Sequence, residues 1–193
     1  MSTIYSSTYL KNLAKNKLLS ESKRIFSAKD QIYSDFDIFL SHSFLDRDEV
    51  EGLYLELTRM GFSVYVDWII DPNLDRTNVT KTSATIIRNR LKSSKTLLIA
   101  ISVNATISKW MPWELGYIDG HTNKCAIIPV SKAIIPETSY KGIEYLSLYP
   151  FVKKAPSDKQ EEILWVIEEI DKYIAFSEWL NGQIPYKRNI KIL

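Results

Sequence analysis

The most apolar stretch of the chain, Leu97-Leu98-Ile99-Ala100-Ile101-Ser102-Val103, has no helical period and the length of a buried strand. Phe36-Asp37-Ile38-Phe39-Leu40-Ser41-His42-Ser43 and Phe62-Ser63-Val64-Tyr65-Val66-Asp67-Trp68 share its character, each opening apolar and closing polar. Cys125–Val130 reads as a further strand, and Tyr145–Tyr149 as a weaker one. Between these runs the apolar residues move to helical spacing. Val50, Leu53, Tyr54, Leu57 and Met60 fall on one face of a helix that Ser43 or Asp46 can cap and Gly61 ends. A second helix is expected from about Lys81 to Leu91. A third is expected to start at Pro112, whose missing N–H would be an orphan in a first turn anyway. Trp110 then lies just outside that helix and Glu114 within its first turn. Ser157 with Gln160 reads as the capping box of a long terminal helix, striped by Ile163, Leu164, Ile167, Ile170 and Ile174.

At the N-terminus, residues 1–30 are polar and net basic, with Leu10, Leu13, Ala14 and Leu18 at helical spacing. They predict a helical extension, followed by one domain over 31–180 and a short basic tail over 181–193. Residues 69–80 are turn-rich, and Asp71, Pro72, Asp75 and Asn78 predict an exposed, adaptable loop. The alternation of strand and helix from Phe36 onward argues for a parallel sheet of about five strands covered on both faces. Right-handed crossovers bring every strand's C-terminal end to one rim. That rim collects Ser41, His42, Ser43, Asp67, Trp68, Trp110 and Glu114.

Composition narrows the chemistry. A net charge of +2 is too small to argue for nucleic acid or a membrane surface, and no nucleic-acid partner is expected; the alternative to a packed helix over residues 1–30 is a basic face for either. The apolar runs are strand-sized, which predicts no membrane span, and the polar N-terminus predicts no signal peptide and a cytoplasmic location. One cysteine, Cys125, excludes an intrachain disulfide, and two histidines make a histidine-rich metal site unexpected. No glycine-rich phosphate loop occurs among only six glycines. Ser41, His42 and Asp67 suggest a hydrolase triad, but neighbouring Ser and His on a strand point to opposite faces and the nucleophile elbow is missing. Asp67 alone is too little for a receiver-type magnesium site. Glu114 keeps two readings: completion of a helix N-terminus, or an anion facing a ligand beside the Trp110 indole.

Three motifs in order resemble the Toll/interleukin-1 receptor (TIR) domain family. Asp37-Ile38-Phe39-Leu40-Ser41-His42-Ser43 with Asp46 resembles its first-strand motif, and Gly61-Phe62-Ser63-Val64-Tyr65-Val66-Asp67 its second strand. Residues 69–80 sit where its BB loop lies. Ser108-Lys109-Trp110-Met111-Pro112-Trp113-Glu114-Leu115 resembles its S-x-W-C-x-x-E-L motif, departing at Met111, where the family often has Cys. The resemblance covers roughly 35–155 and leaves the first 30 residues unmatched. It implies a flavodoxin-like three-layer fold with a central parallel sheet of about five strands.

Enzymatic members of the family cleave NAD⁺ at the nicotinamide–ribose bond with the matching glutamate, here Glu114. The chemistry agrees, since nicotinamide leaves as a neutral base and needs no general acid, while an oxocarbenium-like ribose needs a nearby anion. The resemblance further implies Phe39, Ser41, His42, Ser43, Asp67 and Trp110 as substrate-binding residues, Trp110 by stacking on the cationic ring. NAD⁺ is then the substrate, with no separate cofactor, and the product is ADP-ribose or a cyclic isomer. Small TIR proteins of this kind resemble those of anti-phage immunity, whose nucleotide product can signal to a separate effector. Self-association through residues 69–80 is implied as well. The alternative is a TIR scaffold that pairs with other TIR domains and performs no chemistry.

Overall fold

The computed structural model describes residues 5–18, 20–22, 35–102, 104–105, 108–131 and 144–188. Strand β1 (Tyr5–Ser6) leads directly into helix α1 (Ser7–Lys15), and after the undescribed residues comes β2 (Phe36–Ser41). There follow α2 (Arg47–Arg59), β3 (Val64–Tyr65), the short α3 (Asp67–Ile70), α4 (Lys81–Lys92), β4 (Ser94–Ile101), α5 (Trp110–Asp119) and β5 (Cys125–Ser131). The chain continues through β6 (Phe151–Pro156), β7 (Glu162–Glu169), β8 (Lys172–Ala175), α6 (Phe176–Leu180) and β9 (Tyr186–Lys187).

These strands form one sheet in the order β3-β2-β4-β5-β6-β7-β8-β9, with β1 paired to β5. The links from β3 to β6 are all parallel, with Phe39 opposite Tyr65 and Leu97, and Ile99 opposite Ile127. Counted in chain order, these five strands run 2-1-3-4-5, the doubly wound order in which the crevice lies where the winding reverses. Here that point falls between β2 and β4. The three central strands bury on both faces, as a covered parallel sheet requires: Ile38, Phe39, Leu40, Leu97, Leu98, Ile99, Ala126, Ile127 and Ile128 are all core.

Three expectations from the sequence need correction. Residues 157–174 form no helix; β6, β7 and β8 extend the sheet as an antiparallel meander. Ser157 and Gln160 instead build the tight turn between β6 and β7. Gln160 N donates to the Ser157 carbonyl at 2.9 Å, Ser157 N to Glu161 O at 2.8 Å, and Gln160 takes a φ of +63°. The run Ile163-Leu164-Trp165-Val166-Ile167 is rich in β-branched and aromatic residues, and cross-strand packing decides its conformation. The weaker strand expected at Tyr145–Tyr149 is a 3₁₀ turn over Glu144–Leu148, with the strand beginning at Phe151. Helix α5 begins at Trp110, not Pro112. Pro112 is its third residue, where the amide would still lack an intrahelical partner, and the Ser108 hydroxyl accepts the Met111 amide at 3.3 Å.

The N-terminal helix packs on α2. Leu10 and Ala14 are buried, and Gly52 of α2 lies so close that an added Cβ would stand 2.1 Å from the Leu10 carbonyl oxygen. Ser7 donates to Glu49 at 2.7 Å, Lys11 pairs with Glu49 at 3.1 Å, and Lys17 pairs with Glu51. Tyr9 and Lys154 both reach Glu56, at 3.0 and 2.7 Å, tying α1, α2 and β6 together. Leu18, expected on the apolar stripe, lies beyond the helix and is exposed.

Candidate functional site

Glu114 projects from the second turn of α5 into the rim above β2 and β4. It has no solvent exposure at all. Each carboxylate oxygen has its own donor. Ser41, the last residue of β2, donates its hydroxyl to Oε2 at 2.6 Å, and the Nη2 of Arg76 pairs with Oε1. Parallel pairing aligns the end of β2 with β4, which puts Ser41 at the winding reversal and aims it across the rim.

Arg76 is held from several sides. Its Nη1 donates to Asp67 Oδ2 at 2.7 Å, and its backbone carbonyl accepts Nε1–H of Trp110 at 2.8 Å. The guanidinium carbon lies 5.5 Å from the Trp110 ring centre, within the range of a cation–π contact. One planar cation therefore bridges two buried carboxylates against an indole. Burial on its own would push the Asp67 carboxyl up, but His42 and Arg76 outweigh it and hold it well below the usual carboxylate range. Burial likewise works against the Arg76 charge, and Glu114 and Asp67 outweigh it.

His42 lies just past β2 with its Nδ1 2.8 Å from the Leu40 carbonyl and its Nε2 3.4 Å from Asp67 Oδ1. A carbonyl only accepts, so Nδ1 carries the hydrogen of that contact. Ser43 is buried at the start of the turn leading into α2. Phe39 is enclosed within β2, its ring 4.8 Å from that of Tyr65. Asp46 closes the other side of the rim, accepting from Ser102 Oγ and, at 2.7 Å, from Asn104 Nδ2.

The expected residues thus share one region, in unequal positions. Ser41 bonds Glu114 directly, Asp67, Trp110 and Glu114 all meet on Arg76, His42 adjoins Asp67, and Phe39 and Ser43 are buried on β2 and just past it. Trp110 is the first residue of α5 and 8% exposed, so it does not stand outside the helix as expected. Arg76 was not among the expected site residues. Its partners lie 9 and 38 positions away in the chain, and no local pattern signals such a pair.

The family model for the TIR domain (TIR_2) matches residues 38–164. The chain belongs to the TIR domain family. It is 45% identical over 178 residues to "Probable 3′ cyclic ADP-D-ribose synthase ThsB′" of Bacillus cereus (strain MSX-D12), covering 88% of this chain and 91% of that protein. A second relative, "Putative cyclic ADP-D-ribose synthase TIR2" of Cytobacillus dafuensis, is 29% identical over 96 residues. That match takes in 49% of this chain and only 25% of the relative. Among solved structures, the TIR domain of the Toll-related receptor TRR-2 from Hydra magnipapillata aligns with a TM-score of 0.41 at 19% identity, over 57% of this chain and 78% of that one.

Proposed function

We propose that this TIR domain cleaves NAD⁺ at the nicotinamide–ribose bond and converts the ADP-ribosyl part to a cyclic ADP-ribose. One observation carries the reading: a fully buried carboxylate, Glu114, held at the winding reversal of the sheet by a hydroxyl and a cation. The kinship with a protein named as a 3′ cyclic ADP-D-ribose synthase, over nearly the whole length of both chains, supports it.

Glu114 acts as the catalytic residue by charge. As the C–N bond breaks, its electron pair leaves with nicotinamide, now neutral, and the positive charge passes to the ribose. An ionised carboxylate in a site closed to water stabilises that charge more strongly than it would in solution. A hydroxyl of the ADP part then adds to the ribose carbon and gives up its proton, closing the ring; water in its place yields linear ADP-ribose. Ser41 orients the carboxylate, and the Trp110 indole offers a face to the flat cationic ring. Phe39, His42, Ser43 and Asp67 complete the proposed substrate-binding group. NAD⁺ is the substrate, and the site needs no further cofactor.

The proposal extends to anti-phage defence in the cytoplasm, with the nucleotide read by a separate effector protein. No helix among the described residues is long and apolar enough to cross a membrane. Residues 69–80 are the proposed self-association surface. Most of the loop beyond Ile70 is exposed, and Val79 is 63% exposed. Residues 31–180 are proposed as the TIR domain proper, with 1–30 as its docked extension and 181–193 as its tail. A non-catalytic scaffold is the second reading, favoured by the closed state of Glu114. Purified protein incubated with NAD⁺ and analysed by chromatography separates the two. Release of nicotinamide with a cyclic ADP-ribose is expected, and intact NAD⁺ under every activating condition, higher protein concentration included, supports the scaffold.

A further inference from the structure

Arg76 belongs to the loop between α3 and α4, whose ends are fastened and whose middle is not. At one end Asp71 accepts Tyr65 Oη at 2.9 Å and two Arg90 guanidinium nitrogens at 2.8 Å. At the other, Thr80 and Ser83 form a reciprocal capping box on α4. Between these anchors only Leu74 and Arg76 are half-buried; residues 72, 73, 75 and 77–79 are exposed. The loop is therefore pinned to the domain by the Leu74 side chain, by the Arg76 guanidinium, and by the Arg76 carbonyl that accepts from Trp110 Nε1 at 2.8 Å, and the guanidinium ends on Glu114.

We propose that Arg76 is a built-in competitor for the substrate's cationic half: its guanidinium holds the place on Glu114 and Trp110 that the nicotinamide riboside must take, so residues 72–79 must swing outward before turnover. The inference rests on the NAD⁺ reading above. The chemical match is close, because a guanidinium and a nicotinamide ring are both flat, delocalised cations. Each satisfies a buried carboxylate and lies against an indole face. Glu114, with no exposure, cannot lose its counter-ion to solvent without leaving an unpaired buried charge, so the guanidinium is exchanged for another cation. In the closed state the carboxylate is fully paired and no ribose can reach it. A site of this kind binds substrate only in proportion to its open fraction.

The test uses the full chain and two independent readouts. In steady-state NAD⁺ cleavage, Arg76→Ala is expected to lower KM and raise kcat/KM by about tenfold or more with kcat nearly unchanged, since the open fraction rises. Arg76→Lys, which keeps a charge and guards against misfolding, should fall between, because one ammonium cannot bridge both carboxylates in the same plane. Methylguanidinium added to Arg76→Ala should inhibit competitively with NAD⁺ and do little to the wild type. The second readout needs no catalysis: trypsin cuts after Arg76 only when the loop is open, so Glu114→Gln should speed that cut by about tenfold. An active enzyme whose kcat/KM is unchanged or lower in both Arg76 variants overturns the proposal, as does an unchanged trypsin rate in Glu114→Gln. If neither the wild type nor any Arg76 variant cleaves NAD⁺ while the trypsin rate does respond, the NAD⁺ reading has failed and this inference falls with it.

Discussion

Ser41 and Arg76 divide the carboxylate of Glu114 between them, one oxygen each, and the two contacts differ in kind. The Ser41 hydroxyl sits on a strand end and does not depend on the loop, so under the proposed opening it keeps the direction of the carboxylate. Ser41→Ala should therefore lower kcat with KM little altered. The expected stability cost is about 1.5–3 kcal/mol, the scale of a hydrogen bond to a charged group, to be checked by denaturant melts beside kinetics. Asp67 carries a different test. Unfolded, its carboxyl takes up a proton near the usual value of about 3.9, whereas the folded one does so only at much lower pH. Acid below that value is then bound by the unfolded chain first, so the stability this group contributes above about pH 4 is lost as pH falls. Melting temperatures followed from pH 6 downward should drop less steeply for Asp67→Asn than for the wild type. Equal slopes would show that Asp67 is not held as the structure has it.

Among the elements, sequence and structure agree where a run has a single way to be buried. Leu97–Ile101, flanked by polar residues, has only the centre of a parallel sheet to go to, and β4 takes that place. Ile163–Ile174 had two ways, because the same isoleucines suit a helical stripe and an alternating hairpin. The choice was made by pairing with β6, a contact no window of the sequence contains. Helix α5 starts two residues before Pro112 because proline tolerates any position in the first turn. Glu114 and its neighbours were legible as a rim because strand ends must collect there. Arg76 was not, because an arginine in a turn-rich loop looks solvated until the fold brings two buried carboxylates to it.

Across the whole molecule, the helical extension is part of the packing. Strand β1 pairs with β5, opposing Tyr5 to Val130, and α1 lies against α2 at Gly52. An alanine there would drive its Cβ into the Leu10 carbonyl, a backbone atom with no rotamer to yield. Gly52→Ala should cost about 1–3 kcal/mol, as overpacking does, and should raise hydrogen exchange in α1 ahead of the sheet. Exchange that rises uniformly would mean that α1 and the sheet unfold as one unit.

In the proposed reaction Glu114 performs the chemistry, and its charge is what matters. That role is tested most directly with the loop contact already removed, so that activation is not a variable. Nicotinamide release from NAD⁺ should be measured under single-turnover conditions for Arg76→Ala and for the double variant Arg76→Ala/Glu114→Gln. Glutamine keeps the size and polarity of the side chain and removes the anion. Release should fall by at least about a hundredfold in the double variant, the scale of losing one electrostatic contact to a transition state. Nicotinamide release within a few-fold of Arg76→Ala would contradict that role.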